Sequence, residues 1–260
     1  MIGPLLRTRR WIGFTVLVAV SITAFGVLSA WQWSRAEDRR TERESLQALS
    51  EAAPIRLTDV AAGLAEWTAV EVSGTYGSEQ VVVRKRPFQA QNGFWVMAPL
   101  RHSSGTVWVN RGWIPVTADA LATPDIPPPP AGVVEVIGYL RTFEEADPSD
   151  NEGLPDLQIA APAPVLLPDV DADPGGYVQA RTSQPADDGV VALSPPEIDE
   201  GRNISYAVQW ALFALVAICG WYYFLRREAR EDVPAARIGG TDPSDAAAAT
   251  TAGRAGRAGG

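Results

Sequence analysis

The sequence is poor in the side chains that build disulfide-bonded and metal-bound cores. It has one cysteine, Cys219, and one histidine, His102, among its 260 residues. A single cysteine excludes an internal disulfide, a cysteine metal cluster and a CxxC redox pair. A single histidine leaves too little imidazole for a multi-histidine site, so we do not expect copper chemistry within one chain. Any folded domain must therefore be held together by packing.

Basic residues and catalytic patterns are also scarce. The chain has 22 Lys and Arg residues against 31 Asp and Glu residues, and a formal net charge of -9. Nucleic-acid binding needs clustered cations to neutralise phosphates, so nucleic acid is not an expected partner. No GxSxG, HExxH, Walker or Rossmann glycine pattern occurs. We therefore expect no enzyme, and a membrane-anchored hydrolase in particular would lack a recognisable nucleophile and base.

Two long uncharged runs are the most informative feature that is present. Residues 11–34 and 203–225 contain no charged side chain, and each run is followed by an arginine. A bilayer core of about 30 Å needs about 20 apolar helical residues, so each run is long enough to span. A signal peptide is the alternative for the first run, but this run is longer than the usual apolar segment and no convincing small-x-small cleavage site precedes Trp31. We expect two retained transmembrane helices.

The placement of arginines predicts the orientation of these helices. Arginines border the two runs on the side of the chain termini: Arg7, Arg9, Arg10, Arg226, Arg227 and Arg230. The positive-inside rule places both termini in the cytoplasm. Further arginines follow the first run, but acidic residues are interleaved with them, and long domains cross largely regardless of charge. We expect a multi-pass plasma-membrane protein with residues 1–10 and 226–260 inside and residues 35–202 outside.

Residues 35–202 predict a mainly β domain after a helical extension over residues 36–51. Aromatic and β-branched residues are concentrated in strand-like runs at 67–76, 80–85, 94–100, 106–114 and 133–142, with weaker candidates at 157–160, 177–180 and 190–193. The runs at 94–100 and 106–114, separated by Ser103-Ser104-Gly105, predict an antiparallel hairpin. The pattern fits a small barrel or an open curled sheet.

Three segments have the composition of linkers or tails. Residues 123–132 include four consecutive prolines, which favour an extended polyproline path. Residues 147–176 are rich in Asp, Pro and Gly and predict a linker-like insertion. The chain from residue 231 onwards is a low-complexity sequence of mainly Ala, Gly, Thr and Arg. We expect the tail of residues 226–260 to be disordered.

The densest local pattern is VNRGWIP at residues 109–115. Arg followed by Gly, Trp and Pro on a strand indicates a bulge or a sharp strand end. In a structural interpretation, Arg111 pairs with an acid and Trp113 fills the core. In a functional interpretation, Asn110, Arg111, Gly112 and Trp113 form a docking surface for a partner or a propionate-bearing cofactor, since arginine binds carboxylates bidentately. The residues by themselves favour the structural interpretation.

Three separated segments resemble the Surfeit locus protein 1 family of cytochrome c oxidase assembly factors. WQWSR at residues 31–35 is similar to the family's WQ-x-x-R signature at the end of the first helix. VNRGWIP is similar to its VNRGW-hydrophobic-P signature, and YAVQWALFA at residues 206–214 is similar to the YA-x-x-W-x-x-F-A stretch of the second helix. The order, the spacing and the two-helix topology all match.

This resemblance implies a non-enzymatic role in maturing the haem-copper oxidase. Family members are thought to deliver haem a to the catalytic subunit or to stabilise it there. The implied partners are that subunit, other oxidase assembly proteins and membrane lipid. Many members carry a histidine, a candidate haem ligand, three residues before the tyrosine of the second helix. This chain has Asn203 there, and an amide is a poor iron ligand.

The resemblance also implies a site. We expect the facing surfaces of the two helices, near the outer leaflet, to hold haem a transiently through Trp31, Gln32, Arg35, Asn203, Tyr206, Gln209 and Trp210. Helix packing and arginine–propionate contacts would hold the group, or another subunit would supply the iron ligand. The alternative is a membrane scaffold that grips oxidase subunits through Arg111 and Trp113 without a cofactor.

Overall fold

The computed structural model describes residues 5–57, 64–116 and 124–238. The chain forms two bodies: a helix pair made of residues up to Arg40 and from Asp199 onwards, and a β domain of Thr41–Ile198. The elements in chain order are α1 (Arg9–Ser50), β1 (Ile55–Arg56), β2 (Ala69–Tyr76), β3 (Val81–Val83), β4 (Gly93–His102), β5 (Gly105–Pro115), β6 (Val134–Arg141), β7 (Gln158–Ile159), β8 (Ala172–Gln184) and α2 (Gly201–Ile238).

Both helices extend beyond the uncharged runs. The backbone of α1 stays helical to Ser50, as the charged and helix-favouring sequence after the first run predicts. α2 continues to Ile238 and so extends into the tail of residues 226–260, for which disorder stays a prediction. Arg, Glu and Ala are good helix formers, and adding them to an existing helix costs no new nucleation. The remaining tail, residues 239–260, lies outside the described residues.

The two helices pack antiparallel. The Ser29 hydroxyl donates a hydrogen bond to the Ala207 carbonyl at 2.9 Å. The ring of Phe25 stacks on Trp210 with centroids 5.8 Å apart. Trp221 Nε1 donates to the hydroxyl of Thr15 at 3.1 Å. Contact positions rise in α1 as they fall in α2, which is the signature of an antiparallel pair.

Most buried and half-buried side chains of the two apolar runs form one stripe on each helix, which we call the seam. In α1 it runs through Trp11, Thr15, Val18, Ile22, Phe25, Ser29, Gln32 and Ala36. In α2 it runs through Asn203, Ala207, Trp210, Ala214, Ala217, Trp221 and Leu225. Steps of three and four alternate along nearly the whole stripe, as in a coiled-coil interface. Small residues such as Ala207 and Ser29 let the two backbones approach closely.

The surface outside the seam is apolar and open. Val16, Leu17, Leu212 and Val216 have exposed fractions between 53% and 62%. Water would disfavour this much exposed hydrocarbon, whereas lipid would not. Both helices are long and apolar enough to cross a membrane.

The β domain is a barrel. The strands β2, β6, β8, β5 and β4 pair in that order, and β4 pairs again with β2 to close the ring. Every pair in the ring is antiparallel except β5 with β8, which gives the barrel the topology of an OB-fold. β1, β3 and β7 extend the sheet at its edges. Closure removes most exposed strand edges without any disulfide.

The predicted strands are confirmed with small shifts in their bounds. The hairpin of β4 and β5 turns where His102 pairs with Gly105. β8 begins at Ala172, well before the expected run, and residues 190–193 contribute only an isolated bridge between Trp113 and Val191. Valines from four strands fill the barrel interior together with Leu100 of β4; Val70, Val109, Val136 and Val178 are each 0% exposed.

The insertion of residues 147–176 is not a linker. Ile159, Ala163, Leu166 and Leu167 pack against Trp108 in a core cluster outside the barrel interior. β7 pairs with β3, and β8 begins inside this segment. The few apolar residues of this Asp- and Pro-rich segment are enough to anchor it to the domain. They pack on a hydrophobic face of the sheet that would otherwise be exposed.

This packing generates a stability prediction. Leu166→Ala removes a side chain that is 8% exposed, so it should lower the free energy of unfolding by about 2–5 kcal/mol. Val165→Ala is the matched control, because Val165 is the adjacent residue and is 52% exposed. Urea titration of the detergent-solubilised chain, followed by tryptophan fluorescence, measures both variants. Equal midpoints for the two would show that the insertion does not contribute to the core.

Candidate functional site

The helix pair separates the expected site residues into two groups. Gln32, Asn203 and Trp210 are half-buried in the seam. The other four side chains are exposed outside it: Trp31, Arg35, Tyr206 and Gln209. The prediction that these four line the facing surfaces of the helices is therefore wrong. Every face of a membrane helix is apolar, so hydrophobic periodicity could not reveal which side packs.

The four exposed residues nevertheless share one surface. Each directly precedes a seam residue, namely Gln32, Ala36, Ala207 or Trp210. Successive residues rotate by about 100° around a helix, so a residue before the seam lies to one side of it. When two helices pack antiparallel, residues that directly precede the seam in one helix lie on the same flank of the pair as residues that directly precede it in the other. Equivalent flanking positions of antiparallel coiled coils meet in the same way. We call the surface of Trp31, Arg35, Tyr206 and Gln209 the lateral face.

The two aromatic residues of the lateral face also lie at similar heights along the pair. Ser29 is level with Ala207, because the hydroxyl of the first bonds the carbonyl of the second. With a rise of about 1.5 Å per residue, Trp31 and Tyr206 then differ in height by only about 1.5 Å. The face combines two aromatic rings, a guanidinium and an amide. Such a set can contact a flat aromatic group or a partner helix and can bind a carboxylate.

The second candidate site centres on Arg111 of β5, whose side chain is 0% exposed. Its Nε and Nη2 atoms donate to the two carboxylate oxygens of Asp187, each at 2.7 Å. Nη1 donates to Gln80 Oε1 and, at 2.7 Å, to the Pro127 carbonyl. Nη2 also donates to the Pro128 carbonyl at 3.1 Å. All five N–H donors of the guanidinium are therefore used inside the domain.

Gly112 and Trp113 fasten the chain that precedes α2. Trp113 and Val191 exchange two backbone hydrogen bonds of 2.8 Å. Gly112 has φ +152, and a Cβ there would lie 2.6 Å from the Val191 carbonyl oxygen, so only glycine allows this approach. Asn110 is fully buried, and its Oδ1 accepts a hydrogen bond from the Gly112 amide at 3.1 Å. The bulge expected on this strand is present opposite Val96.

The structure gives these side chains internal contacts. Asn110, Arg111 and Trp113 are at most 5% exposed, and the guanidinium of Arg111 has no donor left for a partner's carboxylate. This arrangement matches the structural interpretation of the motif. A docking role for Asn110, Arg111, Gly112 and Trp113 stays a prediction, and it would require a contact that these buried side chains do not make here.

Several polar residues that form side-chain hydrogen bonds within the β domain were not predicted from the sequence. Asp187 and Gln80 complete the shell of Arg111, but neither stands in a recognisable pattern. Gln179 is 2% exposed; its Oε1 accepts from Arg141 at 2.7 Å and its Nε2 donates to the Leu193 carbonyl at 3.2 Å. A glutamine at the end of a strand run carries no signal that it will be buried, because its partners come from distant segments.

Two buried phenols stay neutral beside these arginines. Burial raises the pKa of Tyr177 to about 12, an effect that Arg141 partly offsets. Burial likewise raises the pKa of Tyr76, which lies next to Arg111. Neither phenol ionises near neutral pH, so neither is a candidate base or metal ligand under ordinary conditions.

Comparison with known proteins gives a consistent result. The profile of the SURF1 family matches residues 19–215. An uncharacterized SURF1-like protein of Mycobacterium bovis is 30% identical over 233 residues, which cover 83% of this chain and 83% of that protein. SURF1-like proteins of two Mycobacterium tuberculosis strains, also uncharacterized, match to the same extent.

The Arg111 network generates a second stability prediction. Arg111→Gln leaves the Asp187 carboxylate without its cation, and breaking a buried pair of this kind should cost about 3–5 kcal/mol of unfolding free energy. Arg111→Lys should rescue little, because an ammonium cannot supply the bidentate fork. Arg101→Gln is the control, since its pair with Glu79 is exposed and 3.8 Å long. Urea midpoints that are equal for Arg111→Gln and Arg101→Gln would contradict a structural role for Arg111.

Proposed function

The chain belongs to the SURF1 family, and from this premise we propose that it acts as an assembly factor for the haem-copper cytochrome c oxidase. SURF1 proteins are assembly factors rather than enzymes, and the family match covers the barrel and part of each helix. The observation that carries the proposal is the lateral face. The residues of the two helix motifs, separated by most of the chain, project outward together on one flank of the helix pair.

The protein acts in the plasma membrane as a multi-pass protein. The exposed hydrocarbon of α1 and α2 supports insertion of both helices. Arginines at the terminal ends of both helices support a topology with both chain termini in the cytoplasm and the barrel outside. The oxidase catalytic subunit and other assembly proteins are the partners.

The lateral face contacts the catalytic subunit or its haem a during assembly. Trp31 and Tyr206 offer ring surfaces to a macrocycle or a helix, and Arg35 offers a guanidinium to a propionate. The residues present do not fit an axial ligand, because Asn203 lies half-buried in the seam and an amide is a poor iron ligand. Any iron ligand is supplied by the partner subunit, so contact with haem a is transient and depends on that partner.

The second candidate function is a scaffold that binds oxidase subunits without a cofactor. The observation in its favour is Asn203. A helix pair that has this amide and no imidazole is poorly equipped to hold haem alone. Both functions use the lateral face, so they differ only in whether this chain itself contacts haem.

The function is tested in a strain that lacks the gene. We expect the reduced-minus-oxidised spectrum of its membranes to lose the a-type band and to keep the b- and c-type bands. The wild-type chain should restore the band, whereas Trp31→Ala with Tyr206→Ala should not. Trp33→Ala with Ile204→Ala is the matched control, because these exposed residues follow seam positions and lie on the opposite flank. An unchanged a-type band after deletion would contradict the proposed function.

The lateral face and the cofactor are tested separately. If both double variants accumulate normally and both restore the band, the lateral face is not the site. To separate haem handling from scaffolding, the chain is purified in the presence of haem a. A visible-range absorbance band that weakens in Arg35→Gln is expected for direct contact. A band-free protein that still co-purifies with the oxidase would identify the scaffold.

A further inference from the structure

The barrel carries one run of basic residues, Arg84-Lys85-Arg86, within a domain that is otherwise strongly acidic. The run opens the loop that joins β3 to β4, and we call residues 84–91 the basic tip. Arg86 forms an ion pair with Glu144 at 2.8 Å. Within the described ranges, neither Arg84 nor Lys85 has an ion pair, and Arg84 Nε is buried without a hydrogen-bond partner. Arg84 and Lys85 therefore have no acidic partner among the described residues, although the domain has more acidic than basic residues.

The backbone of the basic tip is strained. Phe88 and Gln91 exchange two backbone hydrogen bonds of 2.9 Å, so Gln89 and Ala90 form a two-residue turn. Their φ values are +48 and +62, and Lys85 has φ +57. Positive φ at both central residues defines a type I′ turn, which usually takes Asn-Gly. Other residues pay on the order of 1–2 kcal/mol each for this conformation, which persists only where the surroundings enforce it.

Contacts with Trp113 hold the basic tip in this conformation. Trp113 Nε1 donates to the Arg86 carbonyl at 2.6 Å, and the Trp113 ring lies 5.6 Å from that of Phe88. Gly93 makes room for the ring, since a Cβ there would lie 2.2 Å from Trp113 Cε2. The guanidinium of Arg86 lies 4.2 Å from the centroid of Trp95, which fixes the base of the tip. Trp113 of the VNRGW segment therefore holds the tip through its contacts with Arg86 and Phe88.

We propose that the basic tip is a docking site for an acidic segment of a protein partner, and that Trp113 is its positioning residue. Arg84 and Lys85 supply the unpaired cations, while Pro87 and Phe88 supply apolar contact. Arginine and aromatic side chains are enriched at protein interfaces. The acidic remainder of the domain repels an acidic partner elsewhere, which directs the encounter to the tip. The inference rests on the proposed function only where it identifies the partner as an oxidase subunit or assembly protein.

The test uses the full chain in nanodiscs of zwitterionic lipid. The probe is a fluorescent glutamate-rich peptide, with a lysine-rich peptide of equal length for comparison, and binding is followed by anisotropy. We expect the wild-type chain to bind only the acidic peptide and to bind it less tightly as salt is added. Arg84→Gln with Lys85→Gln should weaken binding by about tenfold or more. Arg56→Gln with Arg101→Gln is the matched control, because it removes the same charge from exposed positions elsewhere in the domain.

The positioning role has its own readout. Trp113→Phe keeps a ring against Phe88 but removes the hydrogen bond to the Arg86 carbonyl. We expect weaker binding of the acidic peptide with the salt dependence of the wild type, because both cations remain. A salt dependence that is lost together with the affinity would contradict a role limited to positioning.

Three results would overturn the inference. The tip variant could bind the acidic peptide as the wild type does. The control variant could lose as much affinity as the tip variant, which would show that only overall charge matters. The tip variant could lose association with anionic lipid vesicles while peptide binding is unchanged, which would assign the tip to a membrane surface instead.

The a-type band of the deletion strain and of the complemented strain tests the proposed function separately from this inference. If deletion of the gene leaves the a-type band unchanged, the proposed function fails, and the peptide experiment still decides the tip. If deletion removes the band and Arg84→Gln with Lys85→Gln restores it fully, the tip has no role in assembly, and the proposed function stands.

Discussion

The guanidinium of Arg111 is the interaction on which the β domain depends. It lies on a central strand with no exposure and uses all five donors, to a carboxylate, an amide and two proline carbonyls. A buried cation with an unfilled shell would cost more than the fold could recover. The proline segment and the chain around Asp187 must therefore close over the strand together. In a domain without a disulfide, this ionic network ties together segments that are remote in sequence.

The VNRGWIP motif lies on the same strand, β5, and it supports other segments of the domain although nearly all of its own side chains are buried. Trp113 holds the carbonyl of Arg86 through its side chain and the chain at Val191 through its backbone, so one residue fixes both the basic tip and the segment that precedes α2. The helix motifs work in the opposite way. Trp31 and Tyr206 are exposed, whereas the small and half-buried residues beside them hold the helices together. The VNRGWIP motif thus supports the basic tip from within the domain, whereas the two helix motifs themselves form the lateral face.

Local pattern was enough for the strands and the helices, because alternating β-branched residues and long apolar runs determine backbone conformation over short distances. It failed for residues 147–176, where composition indicated a linker. Isolated residues such as Ile159 and Leu166 become core only because a distant strand presents an apolar face to them. It failed again for the lateral face, because lipid and a partner helix are equally apolar, and the side on which a membrane helix packs depends on the neighbour.

The sequence by itself determined the two long apolar helices, the strand-rich domain, the hairpin at His102 and the resemblance that the family match confirms. These follow from composition and periodicity, which act within a few residues. Only the tertiary structure decided that the barrel closes, that Arg111 turns inward to Asp187, and that Trp31 and Tyr206 share a flank. Each of these depends on contacts between segments far apart in the chain, and the energy of such a contact is a property of the pair, which neither segment encodes alone.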